Sequence, residues 1–172
     1  MHGDGTGEPE RPGGLESEVG FRISRAHRRL RAAWESRIAD LGLTSAQATI
    51  LRATGEQPGT GLRELARRLH ADPMNVKRLA DSLEQAGLLR SASDPRDRRR
   101  RVLLPTALGH AVGGELAARA LAWNQRLGSL LDPDGAAALY ALLDRLEAGI
   151  AAEAGTRSTG DRRPVPAPVV AR

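Results

Sequence analysis

The sequence predicts a mainly helical chain that carries one small β-hairpin, and three observations predict it. Apolar residues recur along one face in five separate stretches, each the stripe of an amphipathic helix, and a capping box opens a sixth helix. Two of these stretches are short and about three residues apart, the form of a helix-turn-helix. Directly after them, two short runs at 88–91 and 101–104 flank an Arg-rich turn, which reads as a hairpin, or wing.

The first helix is predicted over residues 15–41, with Val19, Ile23, Ala26, Leu30, Trp34, Ile38 and Leu41 on one face. About 27 residues at the helical rise span roughly 40 Å, long for so small a domain, so part of the stripe is expected to pack on another chain. Gly42 supplies a left-handed stop. Thr44 and Gln47 form a capping box that opens the second helix, which is expected to stop at Gly55, before a turn at Gln57-Pro58-Gly59.

The third helix carries Leu62, Leu65, Ala66 and Leu69, with Gly61 as N-cap and Glu64 at its third position. Asp72-Pro73 opens the fourth, an N-cap followed by a proline whose missing N–H costs nothing there. Its apolar face is Val76, Leu79, Ala80 and Leu83, and Gly87 ends it. In the hairpin, the Arg-rich second arm argues against burial and calls for one edge facing solvent or a ligand. A fifth helix is predicted over 106–131, on Leu108, Val112, Leu116, Leu121, Leu127, Leu130 and Leu131. Asp132-Pro133 repeats the cap-then-proline signal and starts a sixth over 133–154, on Leu139, Leu142, Leu143, Leu146 and Ile150, closed by Gly155.

The chain of 172 residues has room for one domain, expected at 15–155. Residues 1–14 and 156–172, rich in Gly, Pro and charge, read as disordered tails. No apolar run is long enough to span a bilayer and no signal-peptide pattern opens the chain, so a cytoplasmic location is expected. The absence of Cys excludes disulfides, thiolate zinc sites and thiol redox sensing, and four scattered His argue against a metal site. Neither a catalytic cluster nor a cofactor motif is found, so no enzyme activity and no cofactor are expected. The net charge of +5 points to an anionic partner. Almost all the positive charge is Arg, Lys77 being the only lysine, so the placement of the arginines informs more than their number.

The exposed side of the fourth helix presents Met74, Asn75, Lys77 and Arg78, then Asp81, Ser82 and Gln85. Arg or Lys can bond guanine O6 and N7, and Asn can pair with adenine N6 and N7; the alternative is an ordinary solvated face. Downstream, Arg96, Arg98, Arg99, Arg100 and Arg101 crowd the hairpin. Such a density repels itself unless a phosphate backbone or nearby acids neutralise it. Asp94 and Asp97 are expected to shape the loop, while arginines at the tip reach phosphate or a narrow minor groove.

Three runs, LTSAQATIL (43–51), LRELARRLHADPMNVKRLADSLEQAGLLR (62–90) and SDPRDRRRRVLLPTALG (93–109), resemble the multiple-antibiotic-resistance regulator (MarR) family. The most specific piece is Asp94 to Arg99, followed by Thr106 and Gly109, which is similar to the family's wing signature and the start of its fifth helix. Two residues depart from the pattern. Pro105 stands where the family has an apolar strand residue, which predicts a shorter second strand. Gly61 replaces a hydroxyl N-cap, at an expected cost of a few tenths of a kcal/mol.

The resemblance implies a six-helix winged helix-turn-helix that forms an intertwined homodimer through helices 15–41, 106–131 and 133–154, with residues 44–105 as the DNA-binding part. It implies that the helix over residues 73–86 enters the major groove, that Asp97 and Arg99 belong to the wing, and that the operator is pseudo-palindromic double-stranded DNA. It implies a sequence-specific transcriptional regulator, a repressor released by a small aromatic or phenolic effector. Candidates for an effector pocket are His27, Arg31, Trp34, Arg37 and Trp123, although Trp34 lies on the apolar stripe, where core packing is the competing role. Three further readings remain open at this point: a constitutive regulator with no effector, a winged-helix module for protein association, and an architectural protein that binds DNA without sequence preference.

Overall fold

The computed structural model describes residues 14–159. The tails expected at 1–14 and 156–172 lie mostly outside the described residues. Of the residues they included, Gly14 precedes a 3₁₀ turn at Leu15–Ser17, and the last helix continues past Gly155 to Thr159. Gly155 therefore does not close that helix.

The elements run α1 (Val19–Ile38), α2 (Ser45–Glu56), β1 (Thr60–Gly61), α3 (Leu62–Arg68), α4 (Pro73–Gln85), β2 (Leu89–Ser93), β3 (Arg101–Pro105) and α5 (Ala107–Thr159). The chain divides into two compact units, with the boundary after Trp123. The first unit holds everything from α1 to the first part of α5.

Local signals in the sequence account for most of these boundaries. α1 ends in a 3₁₀ turn, Ala39–Leu41, stopped by Gly42 at φ 65°, a conformation glycine enters without the Cβ clash other residues meet. Thr44 and Gln47 form both halves of the capping box. Asp72 accepts a hydrogen bond from the Asn75 amide at 2.9 Å, with Pro73 in the first turn. The α3–α4 turn holds His70 at φ 47°, an uncommon conformation for a residue with a side chain. α2 runs one residue beyond Gly55, to Glu56.

The core of the first unit draws on its helices and its sheet alike. Ile38 of α1, Ile50 and Leu51 of α2, Leu65 of α3, Val76, Leu79 and Leu83 of α4, Leu89 and Leu103 of the sheet and Leu116 of α5 are buried together. Burial of a Val or Leu side chain is worth about 1.5–3 kcal/mol relative to exposure, so the buried face of α4 alone fixes which side of that helix looks outward. Val76, Leu79, Ala80 and Leu83, the face predicted from spacing, are all buried.

Three expectations are corrected. The hairpin is part of a three-stranded antiparallel sheet in the order β1-β3-β2, so the Arg-rich second arm is the central strand and has no free edge at Val102 and Leu103, which pair with Gly61 and Thr60. The short β1 was invisible because two residues carry no periodicity. Pro105 does not shorten β3: it closes the strand opposite Leu89, at an end where its missing N–H removes no ladder bond. Among the described residues the helices number five rather than six, because α5 continues through Asp132 and Pro133 as one element with a kink, Asp132 standing at φ 53°, ψ 169°. The cap signal is nonetheless real, since Asp132 Oδ1 accepts from the Gly135 amide at 2.7 Å. A single non-helical residue suffices for the break, leaving no loop.

Large apolar side chains remain uncovered. Val19, Ile23 and Leu30 of α1 and Leu108 and Leu121 of α5 are exposed in the first unit; Leu130, Leu142 and Ile150 are exposed in the second.

Candidate nucleic-acid interface

The outward face of α4 is set by its buried one. Met74 is 71 % exposed, and with Lys77, Arg78, Asp81, Ser82 and Gln85 it lines one shallow concavity. Asn75 is exposed beside them. Arg78 Nη2 donates to Asn75 Oδ1 at 2.9 Å, and Lys77 Nζ lies 2.6 Å from Asp81 Oδ2. Exposed pairs of this kind are worth about 0–1 kcal/mol, so a base edge or phosphate can replace either partner at little cost. Ser82 is placed differently: it is half-buried, and its hydroxyl accepts from Gln47 Nε2 at 2.9 Å. Gln47 thus caps α2 with one end of its amide and ties α2 to α4 with the other. Spacing showed only the cap, since the second partner is 35 residues away.

The wing is shaped by its two aspartates. Asp94 Oδ1 accepts from the Arg96 amide at 2.9 Å, and Asp97 Oδ1 from the Arg99 amide at 3.0 Å. The Arg100 amide donates to the Asp97 carbonyl, and the Asp94 amide to the Arg100 carbonyl, both at 2.9 Å. These bonds fold the turn so that Arg96, Arg98, Arg99 and Arg101 are exposed, with no acid within salt-bridge distance among the described residues. Arg100 stands apart. Its guanidinium pairs with Glu64 of α3 and lies 3.5 Å from Asp94 Oδ2. A Cβ on Gly61 would meet Arg100 Nε at 3.1 Å, so the glycine at this N-cap makes room for the arginine that crosses it. Glu64 serves the wing, 36 residues away, a role its place in α3 did not reveal.

The five effector candidates do not form one cluster. Arg37 and Trp123 do meet, with Arg37 Cζ 3.7 Å from the ring centroid, well inside cation–π range. Trp34 packs against the core. Arg31 pairs with Glu35 at 3.0 Å, and His27 is exposed.

Next to the Arg37–Trp123 contact, Arg119 ties α5 to the end of α1. It donates to Asp40 Oδ2 at 2.8 Å, to the Arg37 carbonyl at 2.8 Å and to Glu115 at 2.7 Å. The Arg119 hydrogen bonds, which outweigh the opposing effect of desolvation, hold the Asp40 carboxyl below the usual carboxylate range. A carboxyl depressed in the folded state adds stability that is complete above the unfolded value, near pH 4, and disappears as pH falls through the folded one. Asp40→Asn is therefore expected to melt below the parent at neutral pH and to converge with it in strong acid. A gap between the two melting temperatures that stays constant with pH would contradict this role for the pair.

The MarR family model matches residues 43–100, the stretch from the α2 cap to the wing. No curated protein matches the chain in sequence. Among solved structures, BpsR of Bordetella bronchiseptica, whose DNA binding is regulated by 6-hydroxynicotinic acid, is 28% identical with a TM-score of 0.72; the match covers 80% of this chain and 98% of that one. CouR of Rhodococcus jostii RHA1, bound to p-coumaroyl-CoA, is 25% identical with a TM-score of 0.67, over 78% of this chain and 92% of that one. A transcriptional repressor CouR bound to a 23-mer DNA duplex is 28% identical with a TM-score of 0.72, over 81% of this chain and 99% of that one. Residues 43–100 thus match the MarR family's domain, and BpsR and CouR share the fold of this chain over most of its length.

Proposed function

We propose that the protein is a sequence-specific DNA-binding transcriptional regulator, a repressor released by a small-molecule effector. The observation that carries this reading is the pairing of two surfaces in one unit: an α4 whose exposed face offers Asn75, Lys77 and Arg78, and a wing whose Arg96, Arg98, Arg99 and Arg101 are free of acids among the described residues. The first surface suits base edges, the second phosphates. Met74 adds an apolar contact suited to a thymine methyl. Ser82, held by Gln47, orients α4. The likeness to a repressor solved on duplex DNA and to regulators solved with effectors supports both halves of the reading.

The acting form in this reading is a homodimer in the cytoplasm. Residues 44–105 bind DNA, and residues 15–41, 106–131 and 133–154 dimerise. The exposed Val19, Ile23 and Leu30 of α1 and Leu142 and Ile150 of α5 supply apolar surface for a second copy. The effector is a small aromatic or phenolic anion, and Arg37 with Trp123 offers it a cation beside a ring.

Selection of bound fragments from a random duplex pool tests this function. Enrichment of a two-fold sequence with half-site centres one helical turn, about 34–36 Å, apart is expected. A bound pool as diverse as the input would overturn the sequence-specific reading.

A further inference from the structure

The wing and α3 enclose a second basic surface, distinct from the reading face of α4. A cleft of about 490 Å³ lies between them, floored by Gly61 and walled by Arg63 and Arg67 on one side and Arg99 and Arg101 on the other. All four arginines are exposed, and none has an acid within salt-bridge distance among the described residues. Arg63 and Arg67 are one helical turn apart, so they share a face of α3. The Glu64–Arg100 ion pair bridges the two walls, and the pairing of Gly61 with Val102 holds their bases together. Arg100 is thereby occupied, and its charge is offset by Glu64 and Asp94.

Four guanidinium groups held around one concavity repel each other unless an anion sits among them. Guanidinium matches the oxygens of a phosphate with paired hydrogen bonds, and the first helix of a helix-turn-helix runs beside the nucleic-acid backbone. We propose that this cleft binds a phosphate of the duplex backbone, with Arg63 and Arg67 as DNA contacts and Arg100 as a positioning residue that braces the cleft and touches no DNA. The inference rests on the DNA-binding reading above and adds to it a phosphate site built from α3.

The test uses the full chain and a labelled duplex of random sequence, titrated by fluorescence anisotropy over a series of salt concentrations. For Arg63→Ala/Arg67→Ala, the slope of log affinity against log salt should shrink by about one for each phosphate no longer neutralised. Affinity for a selected operator should drop by the same factor as for random duplex. Arg63→Lys/Arg67→Lys, which keeps the charges, should retain the slope. Arg100→Met removes a guanidinium that touches no DNA, so it should keep the slope of the parent. It should also reduce the affinity penalty of Arg63→Ala/Arg67→Ala, because the walls of the cleft are no longer braced. A slope smaller by a full unit in Arg100→Met would place that residue on a phosphate and overturn its positioning role. An unchanged slope in a folded Arg63→Ala/Arg67→Ala protein overturns the cleft, even when operator selectivity persists. Failure of the parent to bind any duplex overturns the DNA reading and the cleft together. Polyglutamate binding with the same dependence on Arg63 and Arg67 reassigns the cleft to an acidic chain and overturns the phosphate site.

Discussion

Replacing Arg78 by Ala should lower discrimination between a selected operator and a scrambled duplex by about 1–3 kcal/mol, confined to one base step. Arg78 stands on the exposed face of α4, where the buried Val76, Leu79 and Leu83 fix the direction of its side chain. Its guanidinium is held by Asn75, and Asn75 is held in turn at the α4 N-terminus, where its amide donates to Asp72. The contact is exposed and weak, so Arg78 can exchange Asn75 for a base edge at little cost. Lys77, paired with Asp81, carries only a point charge and should contribute less selectivity. Measured with duplexes bearing single substitutions through the site, Arg78→Ala should flatten the response at one position and leave the others intact. A uniform drop at every position would place Arg78 on the phosphate backbone instead.

Gly109→Ala should destabilise the fold by about 3 kcal/mol, at the upper end for overpacking. A Cβ at this position would lie 1.9 Å from the Leu88 carbonyl oxygen and 2.9 Å from its carbon, and these are backbone atoms that no rotamer change can move aside. The close approach sits at a knot of hydrogen bonds. Thr106 Oγ1 accepts from the Gly109 amide at 3.0 Å and donates to the Gly87 carbonyl at 2.6 Å, while the Thr106 amide donates to the Leu88 carbonyl at 3.1 Å. Moving α5 away from Leu88 to admit a methyl group would break these bonds and disturb the paired start of β2. Denaturant unfolding of Gly109→Ala against the parent measures the effect; destabilisation well below the roughly 1 kcal/mol lower end for overpacking would mean that α5 yields to the methyl group without breaking the knot.

That knot separates what the sequence discloses from what it hides. Thr106 and Gly109 stand out as part of a recurrent motif, but the reason for them lies in Leu88, which is distant along the chain and close in space. Elements specified by local chemistry were legible: the Thr44–Gln47 box, the Asp72–Pro73 start, the Gly42 and Gly87 stops, and the apolar face of α4 all take the predicted form. Features that depend on distant partners were hidden. The two residues of β1 acquire their conformation from β3, Glu64 takes Arg100 as its partner across 36 residues, and Gln47 reaches Ser82 across 35. The crowded arginines of the wing looked alike in sequence, yet Glu64, Asp94 and the space above Gly61 single out Arg100 from its neighbours. The effector candidates were chosen by residue type on two predicted helices, and of those only Arg37 and Trp123 face each other.

If α4 reads base edges, the chain must distinguish one DNA sequence from another of equal charge and length. Competition titration decides this: the full chain on a duplex selected from a random pool, challenged with unlabelled duplex of the same composition in scrambled order. Specific DNA-binding proteins prefer their sites by about 10³-fold or more, and a preference of that order, reduced by Arg78→Ala, is expected. Equal competition by the scrambled duplex, with Arg78→Ala indistinguishable from the parent, would contradict a reading role for α4.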